Sequence, residues 1–532
     1  MQFDAFSLTE NEQYPDLIGL IEQTCQEFAA NPAYICLDQR YSFADIEQQS
    51  RYFAAYLQQH TELKVGDRIA IQLPNLVQYV IAAYGALRAG LVLVNTNPLY
   101  TERELVHQYQ DSGAKALVVL SDLLPVIAKV VPQTQIEYVI STHVFDLIER
   151  QIHPQTGLQH IEFCDVLALG AQTQYERPNI ADNALAALQY TGGTTGLAKG
   201  AMLTHTNLIA NTLQCQSRLS QSLDTGKEVI IAPLPVYHIY AFTVNLLLYF
   251  KMGCCSILIP NPRDLNQFVE AISPHKFTGM IGLNTLFIGL CHHPQFKQLD
   301  FSQFKLTISG GTTLTQTAAD LWLTTTGCTI SEGYGLSETS PVVSINLPGH
   351  ERLGTIGKPL VDTLVKLLDE QGQTITGTEA ELAIKGPQVM LGYWNNPQET
   401  EDAMTADGYF KTGDIASISD DGFITIVDRK KDVILVSGFN VYPNEVENIL
   451  AMHPQVLESA VVACANEHSG EIVKAIIVCK TEITDEQQLS DDIRQHCREQ
   501  LAAYKVPKVI KFVEQLPKST VGKILRRELR QA

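Results

Sequence analysis

"YTGGTTGLAKG", Tyr190 to Gly200, sets glycines at 192, 193, 196 and 200 among Thr191, Thr194 and Thr195, with a single cation, Lys199. The apolar run "ALAALQY" (184–190) feeds directly into it, as a strand would. The loop therefore hangs from the end of a sheet, where open α/β folds hold their ligands. Glycines let the main chain curl until several N–H groups converge, and small hydroxyls plus one ammonium add donors, a combination suited to a phosphate chain. A glycine-rich hairpin would account for the composition equally well. A Walker loop, G-x-x-x-x-G-K-[ST], does not fit, because Leu197 and Ala198 separate Gly196 from Lys199 and no hydroxyl follows the lysine.

Outward from the loop, the text alternates. Between 67 and 120 it runs strand "DRIAIQL", helix "LVQYVIAAYGALRAG", strand "LVLVNTN", helix "TERELVHQYQDSG", strand "AKALVVL", the pattern of βαβ units building a parallel sheet. A second α/β stretch covers 184–335, with "VIIAPLP", "SILIP" and "FKLTISG" as strands. From 353 to 428 short alternating segments with frequent glycine predict a small antiparallel β-barrel or sheet. The charged run "DRKKD" (428–432) reads as a linker, because a fresh α/β pattern, "NEVENILAMHP" then "LESAVVAC", starts after it. The expected division is a large unit over 1–429, containing the β-rich part, and a small α+β unit over 430–532.

The whole chain has 532 residues and a formal charge of −20, which opposes non-specific attraction to nucleic acid or anionic lipid. No nucleic-acid partner is expected. The first Lys or Arg is Arg40, so a basic secretory n-region is missing and a cytoplasmic location is expected. Eleven cysteines in mostly apolar contexts read as reduced, buried thiols. "LCHHP" (290–294) is a poor metal site, since adjacent side chains converge badly. The apolar stretch 241–259 is broken by Lys251 and Gly253 and reads as a buried helix followed by a strand.

Other chemistry-bearing residues are weak signals singly. "EGYGLSE" (332–338) ends in Glu338, a carboxylate at the rim of the sheet that would complement a phosphate loop through Mg²⁺. "PVYHIY" holds His238 among aromatics, where packing explains a histidine as readily as function. "FKTGD" and "DGFITIVDRKKD" supply Asp414 and Arg429, which suit sugar hydroxyls or turn caps. The tail from 505 is basic against the acidic average; a solvated helix face accounts for "RRELR" (526–530), but not for "PKSTVGK" (517–523), a framed loop that presents Lys523.

Taken in order, "YTGGTTGLAKGAMLTH", "PVYHIY", "EGYGLSE", "YFKTGD", "IVDRKKDVILVSGFNVYPNEVE" and "LPKSTVGKILRREL" resemble the adenylate-forming superfamily of acyl-CoA synthetases, luciferases and peptide-synthetase adenylation domains. "RAGLVLVNTNPLYTERELVHQ", "GLNTLF" and "KGPQVMLGYW" look most like bacterial long-chain fatty-acid CoA ligases. The resemblance implies ATP, Mg²⁺ and coenzyme A with a fatty acid as substrates and cofactor, and an acyl-AMP intermediate. It implies that Thr191, Gly192, Gly193, Thr194, Thr195, Gly196 and Lys199 hold the β- and γ-phosphates, and that Glu338 binds Mg²⁺ with Ser337 near the α-phosphate. Gly310, Gly311, Thr312, Tyr334 and Gly335 would line the adenine pocket, and Asp414 and Arg429 would take the ribose. His238 would orient the carboxylate, Lys523 would bridge it to the α-phosphate, Lys431 would be the pivot of a mobile small domain, and Gly438 would pass the pantetheine arm. Weak peripheral contact with the inner membrane and a homodimer are left open. Two departures are small: Ala380 stands where relatives commonly carry glycine, and "SGGTTL" lacks a frequent proline.

Overall fold

The computed structural model describes residues 14–191, 198–437, 439–466, 470–518 and 524–530. The alternation read between 67 and 120 is present as strands Arg68–Gln72, Val92–Asn95 and Ala114–Leu120 with helices Val77–Arg88 and Glu102–Ser112 between them. Local chemistry sets the ends. Thr101 and Glu104 form a reciprocal capping box at the start of Glu102–Ser112, and Gly113, at φ 61°, closes it in the left-handed region that glycine enters without penalty.

These strands belong to a seven-stranded sheet that continues through Leu185–Thr191 and ends on Lys199–Thr204, its one antiparallel neighbour. A nine-stranded sheet carries Val229–Ala232, Cys255–Leu258, Gly279–Gly282, Leu306–Ser309 and Ile330–Gly335 as parallel neighbours. One core joins the inner faces of both sheets, for it contains Ile69 and Leu93 from the first and Ile230 and Ile308 from the second. Helix Val77–Arg88 lies in that core with every residue buried, which explains its continuous apolar text. The apolar stretch near 241–259 is helical over Ile239–Ala241, Phe242–Leu248 and Tyr249–Lys251, the middle part wound as a π-helix, before strand Cys255–Leu258. Among the described residues no helix is long and apolar enough to cross a membrane.

The β-rich stretch is a five-stranded antiparallel sheet with Thr374–Ile375 and Ile424–Arg429 as its edges, so of the barrel or sheet expected there it is an open sheet. Strand Ile424–Arg429 ends the sheet, a single helical turn follows at Lys430–Asp432, and a further sheet then starts with Ile434–Val436. That last sheet, in which Gly470–Cys479 pairs with Ile434–Val436, Val456–Asn466 and Val509–Phe512, packs against helices Pro443–Ala451 and Glu486–Gln500 over a separate core.

A cation is held inside the large unit. Arg88 is 0 % exposed and donates to Glu22 at 3.0 Å, to Glu47 and to Ser50 Oγ at 3.0 Å, tying three helices together. Removing one partner of a buried pair leaves uncompensated charge. Arg88→Met should therefore cost about 3–5 kcal/mol in denaturant unfolding, while activity per folded molecule is retained.

Candidate active site

Four strand ends meet at one cleft of about 2300 Å³, several times the size of an ordinary ligand pocket. Every described residue singled out in the sequence lines it: Thr191 and Lys199 from the loop stem, His238, the 310–312 loop, the 334–338 segment, and Asp414, Arg429 and Lys431. Gly192, Gly193, Thr194, Thr195, Gly196, Gly438 and Lys523 lie outside the described residues.

One end of the cleft is built by strand Ile330–Gly335 running towards the β-rich sheet. Tyr334 donates its phenol to Asp414, and the buried Asp414 carboxylate also meets Arg429 Nε at 3.2 Å. Asp414 and Arg429 are direct cross-strand partners, so the pair follows from register rather than from long side chains reaching. At Gly335 a Cβ would fall 2.1 Å from the Pro341 carbonyl oxygen, which only glycine avoids. Gly310 packs against the Tyr240 ring and Gly311 adopts φ 84°. Beside them Ser309 Oγ, Thr312 Oγ1 and Glu332 Oε2 are buried without a partner, and Gly310, Gly311 and Thr312 line the cleft together with Glu332. Such orphaned polar atoms suit a hydrogen-bonding ligand.

Glu338 sits in the turn Ser337–Thr339, 9 % exposed, and burial pushes its carboxyl above the ordinary range. Its Oε1 accepts from the Tyr393 phenol at 2.9 Å. Lys199 pairs with Glu399 and lies 5.3 Å from the centre of the Tyr393 ring. His238 Nδ1 accepts from Tyr240 N at 3.3 Å at the start of the helix, an arrangement that in a neutral imidazole puts the proton on Nε2. Past it, Leu219, Leu234, Val244, Leu248, Leu283 and Ile345 give the cleft an apolar wall. Val244 and Leu248 belong to the π-helical segment, a distortion that recurs at functional sites.

The far rim is a clasp across the turn Lys430–Asp432. Asn444 N donates to Asp428 Oδ2 at 2.7 Å and its amide donates to Val427 O at 3.1 Å. Arg526 Nη2 donates to Asn444 Oδ1 and to Glu447 Oε2, both at 2.7 Å, with Asp428 at 3.8 Å and Asp432 at 3.6 Å. Arg530 reaches Lys431 O at 3.1 Å and Asp432 at 2.7 Å. The solvated face expected for "RRELR" is therefore corrected: two of its arginines grip acids around the turn. Burial and then Arg429 push the Lys431 ammonium below its usual range. Sequence reasoning also passed over Glu332, Tyr393 and Asn444, whose roles depend on neighbours 16 to 55 residues away.

Residues 21–394 match the profile described as AMP-binding enzyme, and residues 445–523 match the AMP-binding enzyme C-terminal domain. The chain belongs to the AMP-binding enzyme family. A long-chain-fatty-acid–CoA ligase of Yersinia pestis is 45 % identical, covering 98 % of this chain and 94 % of its own. Among solved structures, an anthranilate CoA ligase in complex with anthranoyl-AMP superposes with a TM-score of 0.88 at 25 % identity, covering 98 % of each chain. MatB from Rhodopseudomonas palustris, 28 % identical over 97 % of this chain and 98 % of its own, superposes with a TM-score of 0.86 in its ATP-bound crystal and 0.76 in its apo crystal.

Glu332 makes a testable contribution. Burial pushes its carboxyl up to about 7 from 4.5, with only the Leu314 N–H, 3.0 Å from Oε1, opposing it. A raised acid favours the fold fully below its unfolded value and loses that contribution as pH rises through the folded value. Relative to Glu332→Gln, the ligand-free wild type should lose roughly 3 kcal/mol between pH 4.5 and pH 7. Parallel unfolding curves for the two proteins across that window would contradict the assignment.

Proposed function

We propose that this chain joins a long-chain fatty acid to coenzyme A in two steps: the carboxylate attacks the α-phosphate of ATP to give acyl-AMP and pyrophosphate, then the CoA thiol attacks the acyl carbonyl and AMP leaves. A single observation carries this reading: one cleft combines the Tyr334–Asp414–Arg429 cluster, the buried Glu338 and an apolar wall beyond His238. The name of the 45 %-identical Yersinia pestis relative supports the long-chain acid.

In this reading the ribose hydroxyls take Asp414 and Arg429, and adenine lies between Tyr334 and the Gly310–Gly311–Thr312 loop. The leaving phosphates sit over Thr191, the glycines and threonines that follow it, and Lys199, while Ser337 stands near the α-phosphate. His238 orients the fatty carboxylate. Glu338 offers a hard oxygen donor in a place where its charge is otherwise costly, which fits Mg²⁺, a cation that takes one or two carboxylates together with phosphate oxygens. When bound, Mg²⁺ screens the charge of the phosphate chain against the incoming carboxylate. Neutralisation and alignment by fixed groups supply most of the barrier lowering in reactions of this kind.

Lys523 serves the first step only, and the small unit, 430–532, turns about Lys431 against the large unit, 1–429, before the second, bringing Gly438 to the pantetheine arm. The clasp of Asn444 and Arg526 on Asp428 crosses that pivot and holds the adenylating arrangement. The enzyme belongs to the cytoplasm, with weak peripheral contact at the inner membrane because its substrate dissolves in lipid.

Fatty acids of graded length, with ATP and with or without CoA, test the reading. AMP and pyrophosphate should form in equal amounts, thioester should need CoA, and turnover should rise towards long chains; ADP as product, or an optimum on aryl acids, would contradict it. Lys523→Ala should abolish acid-dependent ATP–pyrophosphate exchange and spare transfer from supplied acyl-AMP to CoA. Equal loss of both half-reactions would remove the role given to Lys523.

A further inference from the structure

Tyr393 lies in a segment, Met390–Trp394, that runs beside the strand leaving the glycine-rich loop. Leu391 N donates to Met202 O at 3.0 Å, Met202 N to Gly392 O at 2.9 Å and Trp394 N to Gly200 O at 2.8 Å. Met390 N donates to the main-chain carbonyl of Glu338 itself at 2.9 Å. The segment is thus pinned at one end to the carboxylate's own backbone and along its length to the loop stem. Thr400 Oγ1 accepts from Tyr393 N at 2.9 Å, which fixes the backbone from which the phenol projects. The ring presents its face to Lys199 and its hydroxyl to Glu338. Among the described residues no other side chain donates to that carboxylate.

We propose that Tyr393 is a positioning residue for adenylation: it aims the Glu338 carboxylate at the divalent cation of the nucleotide and ties that aim to the stem of the phosphate-holding loop. The inference rests on the reading of Glu338 given above and adds the group that orients it. One of the two carboxylate oxygens accepts the phenol's hydrogen, which fixes the carboxylate plane and leaves Oε2 to face the cation. Ligating carboxylates are commonly oriented this way by a second hydrogen bond, and losing such a partner weakens metal affinity by roughly 10- to 100-fold. The Lys199 ammonium on the ring face makes the coupling two-sided, because a shift of the ring disturbs the loop cation and the carboxylate together.

Tyr393→Phe removes one oxygen and keeps the ring. Calorimetric titration with ATP, in Mg²⁺ and in EDTA, isolates its effect from catalysis. The expected result is an ATP affinity about tenfold weaker in Mg²⁺ and unchanged in EDTA, with an unaltered melting temperature. Combining Tyr393→Phe with Glu338→Gln should add nothing to Glu338→Gln alone. Equal weakening in both buffers would show a structural role for the phenol, and unchanged affinity in both would show none; either overturns the proposal. A wild type whose ATP affinity ignores Mg²⁺ would remove the underlying reading of Glu338 as well, a result distinguishable from the other two without any mutant.

Discussion

A buried carboxylate, Asp414, joins three parts of this protein at one point. It accepts the phenol of Tyr334 from the end of the nine-stranded sheet and pairs with Arg429 from the neighbouring strand of the β-rich sheet. Two residues beyond Arg429 lies Lys431, and then the last α/β unit begins. The cleft and the turn at 430–432 therefore lie beside an ion pair whose carboxylate is buried, and disrupting it would leave that carboxylate without its cation. A glycine at 335, forced by the close approach of Pro341, lets the strand come near enough for the contact to exist.

Charge sets a second condition. A chain with a formal charge of −20 must receive ATP, a fatty carboxylate and the phosphates of CoA in one cleft. It does so by placing cations locally: Lys199 at the loop stem, Arg429 beside Asp414 and Lys431 at the turn, each facing the same space. The acids nearby are held by partners, Asp414 by Arg429 and Asp428 by Asn444 and Arg526. Burial raises the Glu338 carboxyl, opposed by its own backbone N–H, the Tyr393 phenol and Arg429, and an external divalent ion would suit a carboxylate so placed.

The βαβ text between 67 and 120 was legible because periodicity is local, and so was the π-wound segment's general nature as a buried helix before a strand. The π winding itself was not, since it arises from packing of Phe242–Leu248 inside the core rather than from any residue type. The glycine loop, Asp414, Arg429 and Glu338 could be found as motifs. Tyr393 could not, because its phenol meets a carboxylate 55 residues away. Arg526 was misread for a related reason: a basic helix looks solvated until Asn444, Glu447 and Asp432 are folded against it.

In the function proposed above, one carbonyl is served in turn by two arrangements of the same chain, with Lys431 as the pivot between them. Lys431 lies within a single 3₁₀ turn, Lys430–Asp432, a conformation whose φ of about −50 to −70° overlaps the value a proline ring imposes. Lys431→Pro should therefore hold the present arrangement and resist the other. In a single turnover with fatty acid, ATP and CoA, the burst of pyrophosphate should persist while the CoA ester fails to appear. Loss of pyrophosphate and ester in equal proportion, or full retention of both, would contradict a rotation about this turn.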